Sequence, residues 1–120
     1  MSNNSEVNMI SITPAAIAEL SLFFKELKKQ VKENKKPVIS IIWALERSAN
    51  AGKDLPHIKF GPGIVVGADF IENDRVSGVT YVDEMPILFR IPYQILIDQG
   101  TIIDLDINKN RVEKFYLRMD

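Results

Sequence analysis

The side chains able to do chemistry are few. None of the 120 residues is a cysteine and one is a histidine, His57. Without a thiolate there is no soft ligand for iron or a cluster, no sulfur nucleophile and no disulfide. His57 closes a polar stretch, ERSANAGKDLPH, that begins at Glu46. Glu46, Asp54 and His57 offer the oxygen and nitrogen donors of a mixed metal or small-ligand site, with Arg47 beside them. Nothing in their spacing forces them to converge, and a lone histidine next to a proline is more often a solvated side chain than a ligand. Ser48 lacks the strand-to-helix elbow that would activate it, so no Ser–His hydrolase motif is present. Glu46, Arg47, Asp54 and His57 therefore stand as candidate binding residues. No catalytic set, metal set or cofactor follows from them.

Other patterns imitate known sites and fail at positions those sites require. Asp104, Asp106, Asn108 and Asn110 have the spacing that opens a calcium loop, but the glycine position is Lys109 and the bidentate-glutamate position is Phe115. A strand and hairpin turn fit better. Gly61-Pro62-Gly63 and Gly67 supply the glycines of a phosphate loop with the wrong spacing, and Pro62 removes a backbone donor. Lys25, Lys28, Lys29, Lys32, Lys35 and Lys36 face only Glu26 and Glu33 locally, with no interleaved aromatics to stack on bases; a solvated helix face explains them. Trp43, among isoleucines, is expected in the core.

The elements that must position these residues are legible in outline. Thr13-Pro14 is a helix start, with a hydroxyl to cap free N–H groups and a proline preset for the first turn. Ile17, Leu20, Phe24, Leu27 and Val31 then form one apolar stripe, which predicts a long helix from Pro14 to Asn34, stopped before Pro37. VISIIWAL, Val38 to Leu45, is apolar on both faces, as a buried strand is, with Ile39, Ile41, Trp43 and Leu45 together. Glu46 to His57 is expected to be a loop. Strands are predicted at Ile58–Phe60 and Ile64–Ile71, then at Val79–Asp83 and Ile87–Ile91 on either side of a Met85-Pro86 turn. Pro92 to Gln99 reads as a short helix closed by a left-handed Gly100. Thr101 to Ile107 alternates with Ile103, Leu105 and Ile107 inward, and a turn at Asn108–Asn110 leads into a last strand, Arg111 to Leu117.

Two segments carry a family resemblance. ISITPAAIAEL, Ile10 to Leu20, and MPILFRIPYQILIDQGTIID, Met85 to Asp104, resemble the HesB/IscA-like family, the A-type scaffolds and carriers of iron–sulfur cluster assembly. The likeness extends from about Ile10 to Leu117, strongest over Ile87–Asp104 and weakest over Glu46–Gly78. It implies an α+β HesB-like domain over residues 10–118, behind a flexible extension at 1–9. The expected core is a small mixed, barrel-like sheet of about seven short strands with the long and short helices. It also implies three ligand cysteines, the first just after the strand matching Val38–Leu45 and two in a C-x-C tail. This chain has Glu46, Arg47 and Ser48 at the first place and reads Arg118-Met119-Asp120 after Leu117.

The expectation is a cysteine-free HesB/IscA-like protein that is not itself a cluster carrier. It would be a non-catalytic binding or adaptor module whose link to iron–sulfur metabolism rests on fold analogy alone. The alternative is a protein binding a small ligand or metal through N/O groups of the Glu46–His57 segment. An enzyme ranks third, because no nucleophile, base and oxyanion set can be assembled. A net charge of −1 gives no general attraction to nucleic acid or to anionic membranes, and no apolar run is long enough to span a bilayer. An unidentified protein partner and a homodimer stay open, and the cytoplasm is the default compartment.

Overall fold

The computed structural model describes residues 10–30, 35–50, 57–72, 78–108 and 114–120. The proposed N-terminal extension, Val31 and Asp54 lie outside the described residues. Two helices and two mixed sheets make an α+β fold, with a separate two-stranded ribbon.

Strand β1 (Ser11–Ile12) leads into helix α1 (Pro14–Lys28). Thr13 caps it: the Ala16 N–H donates to Thr13 Oγ1 at 3.3 Å. Ala16, Leu20 and Leu27 are buried, and Ile17, Phe23 and Phe24 pack against the same core. The apolar stripe therefore faces inward, while Lys25, Lys28 and Lys29 are exposed. The helix is shorter than the expected Pro14–Asn34. Lys29 N–H donates to Glu26 O and Gln30 N–H to Leu27 O, closing the last turn three residues back.

Strand β2 (Lys35–Ala44) is the centre of a four-stranded sheet in the order β5-β2-β7-β6. Its neighbours are β5 (Gly63–Glu72), antiparallel, and β7 (Met85–Arg90), parallel; β6 (Thr80–Val82) pairs antiparallel with β7. Ile39 and Ile41 are fully buried and Trp43 packs beside them, as the alternation requires. Leu45 lies past the strand end and is 80% exposed, not on the inner face as expected. Pro37 sits inside β2, opposite Phe70, but pairing with β7 begins only at Ile39. At Pro37 the strand has one neighbour, the position where a missing N–H is tolerated.

The turn between β6 and β7 is Asp83-Glu84, not Met85-Pro86. Both turn residues have positive φ, 49° and 67°, the type I′ geometry of a two-residue hairpin. Met85 and Pro86 are buried in β7 instead, because an apolar pair contributes more in a sheet than in a solvated turn.

The second sheet runs β1-β8-β9, with β8 (Ile102–Leu105) parallel to β1 and antiparallel to β9 (Phe115–Arg118). Helix α2 (Tyr93–Gln99) joins β7 to β8 and buries Leu96. Gly100 follows it at φ 116°, ψ 168°, an extended conformation with positive φ that glycine alone adopts readily, rather than the left-handed helical one expected. Ile103 is fully buried and Leu105 packs on the core, but Ile107 is in the following turn and 67% exposed. Helix α1 touches both β8 and β2, and β5 approaches β9, so the core of Leu20, Ile39, Ile41, Ile87, Ile103 and Phe115 lies where helix and sheets meet.

Candidate functional site

The polar stretch after β2 is not a loop throughout. Arg47–Asn50 forms β3 and His57–Phe60 forms β4, paired antiparallel. Residues of weak strand preference hold an extended form here because the partner strand satisfies their backbone groups. The ribbon pairs with no other strand among the described residues.

The register separates two of the candidate residues. Arg47 is opposite Phe60, and His57 is opposite Asn50. They are three register steps apart, about 10 Å along the strands. Glu46 is exposed in the bend at the root of the ribbon. Among the described residues, no three of His, Asp and Glu cluster as a metal would need.

A different polar cluster does form, around Asp104. Its Oδ1 accepts from the Thr13 hydroxyl at 2.8 Å and from the Leu105 N–H at 2.8 Å, while Oδ2 accepts from Arg118 Nε at 2.8 Å. Arg118 also donates from Nη1 to Met119 O at 3.3 Å. The β8–β9 register explains the pair: Asp104 is opposite Tyr116, so Arg118 is its diagonal neighbour on the same face. Thr13 arrives from β1, whose parallel pairing is extended by Thr13 N–H donating to Ile103 O at 3.0 Å.

The hydrogen bond from Arg118, then that from Thr13, hold the Asp104 carboxyl below its ordinary pKa, against a smaller opposing effect of burial. The same bond raises the Arg118 guanidinium. This carboxylate is occupied on both oxygens by the chain itself, and Asp104 lies in a strand. The calcium-loop pattern therefore has a structural explanation. Sequence reading placed Asp104 on the non-core face but could not find its partners, which depend on pairings 91 and 14 residues away.

The lysines at the end of α1 are held locally. Lys29 pairs with Glu26 at 3.1 Å, both side chains largely exposed, and Lys28 lies 5.2 Å from the centre of the Phe24 ring. Lys114, before β9, pairs with Glu19 on α1. Among the described residues no helix is long and apolar enough to cross a membrane. No family model, curated protein or solved structure matches the chain.

Proposed function

We propose that this chain is a non-catalytic binding or adaptor module, a cysteine-free relative of the HesB/IscA-like carriers that does not itself carry a cluster. The observation that carries the reading is chemical: no residue can supply thiolate, the ligand that iron–sulfur clusters require. The β3–β4 ribbon, which pairs with no other strand among the described residues, supports the binding half of the proposal. A two-stranded ribbon is marginal alone and gains from a partner laid against it. In this reading the described strands Arg47–Asn50 and His57–Phe60 form the contact surface, with Glu46 at its root.

Two measurements test this. Anaerobic reconstitution with iron and sulfide leaves the protein colourless; a stable, stoichiometric chromophore refutes the reading. A pull-down with the parent identifies a binder, and a variant with alanine at Glu46, Arg47, Asp54 and His57 loses it while staying folded. Undiminished capture by that variant removes the ribbon from the proposal.

A further inference from the structure

Sheet edges are templates for pairing with another chain, and proteins blunt them with short strands, lysine, proline or bulges. Three of the four edges of the two sheets follow that rule by length: β1 has 2 residues, β6 has 3 and β9 has 4. The fourth, β5, has 10 residues, GIVVGADFIE. It contains no lysine and no proline, and its register with β2 runs from Gly63 to Glu72 without a bulge. From Val65 to Glu72 it has a strand on one side only among the described residues, although β9 comes close to it.

We infer that β5 is a homodimer edge, pairing antiparallel with β5 of a second copy about a two-fold axis at Ala68. Such an axis, perpendicular to the sheet, keeps each face continuous only if opposed residues have the same parity. Even-numbered residues of β5 lie toward the core side, since Ala68 is opposite Ile39 and Val66 opposite Ile41. Centring on Ala68 opposes Val66 to Phe70 of the second copy on that side, and Val65 to Ile71 on the other. The one charge within the paired segment, Asp69, meets Gly67, where no side chain competes for space. Centring on Asp69 opposes two carboxylates, and centring on Gly67 sets Val65 against Asp69. The sequence is thus self-complementary in one register and mismatched in those beside it.

The absence of cysteine makes the test clean. In the parent, sedimentation across concentration shows a reversible monomer–dimer equilibrium. Ala68→Cys places the only two thiols of the dimer opposite one another, with Cα atoms about 4.5–5.5 Å apart, within disulfide range. Mild oxidation then gives a disulfide-linked dimer much faster than in a Leu22→Cys control on exposed helix surface. Ala68→Lys, which opposes two ammonium groups on the axis, weakens the dimer at least tenfold with an unchanged circular dichroism spectrum. A parent that stays monomeric to millimolar concentration overturns the inference. So does a dimer unaffected by Ala68→Lys, or Ala68→Cys oxidising no faster than the control.

Discussion

Replacing Asp104 should loosen both ends of the described fold at once. Asp104→Ala removes the acceptor for Thr13 Oγ1, Leu105 N and Arg118 Nε together. The Asp104 side chain is 20% exposed, so part of its solvation is already lost in the folded state. A hydrogen bond to a charged group contributes about 1.5–3 kcal/mol where water is excluded, and less here. Arg118 is 41% exposed and regains water when its partner goes, so the ion pair adds little. The Thr13 and Leu105 bonds then leave a net loss of about 2 kcal/mol. With a urea slope of about 2 kcal/mol/M, the midpoint falls by about 1 M, which partly buried Trp43 can report by fluorescence.

The pH dependence gives the sharper test. The folded pKa of Asp104 is depressed, so its contribution is fully present above the unfolded carboxylate value of about 3.9 and lost as pH falls through the lower folded value. The stability gap between parent and Asp104→Asn should be flat from neutral pH to about 5, then narrow in more acid solution. Asparagine keeps the shape and an acceptor for Thr13 but turns a donor or a neutral oxygen toward Arg118. A gap that stays constant to pH 3, or an alanine variant within about 0.5 kcal/mol of the parent, refutes the account.

Two backbone positions give further outcomes. In Gly100→Ala the added methyl would lie 2.6 Å from Met119 N and nearer still to the Arg118 carbonyl, in a conformation glycine alone tolerates; thermal unfolding should show a loss of at least about 3 kcal/mol. Glu84→Gly should instead stabilise by about 0.5–1 kcal/mol in chemical denaturation, because Glu84 sits at φ 67° where a side chain is strained.

What was legible in the sequence is what period alone determines. The stripe through Ile17, Leu20, Phe24 and Leu27, and the alternation of Ile39, Ile41 and Trp43, specify a face without needing to know the partner. Boundaries were less legible, since the stripe and the ordinary helix formers continue past Lys28, where the last bonds of α1 reach back three residues. The Asp83-Glu84 turn was hidden because Glu84 stands where a type I′ turn usually has glycine, while the adjacent proline imitated a turn. The candidate binding segment was found as polar sequence but not as a ribbon. Its pairing depends on which residues meet, and the register then sets Arg47 and His57 three steps apart.

The parallel pairings of β1 with β8 and of β2 with β7 have no local signature, and everything nonlocal follows from them. Asp104 shows why this matters for reading function. In sequence it heads a calcium-like pattern; in the fold it is consumed by a threonine from β1 and an arginine from β9. A chemical pattern of acidic residues becomes a site only if the fold leaves its oxygens open, and here β1 and β9 fill both. Among the described residues the same nonlocal pairings leave β5 as the longest strand with a paired strand on one side. The binding proposed for this chain therefore rests on strand edges, at β5 and along the β3–β4 ribbon, more than on any cluster of reactive side chains among the described residues.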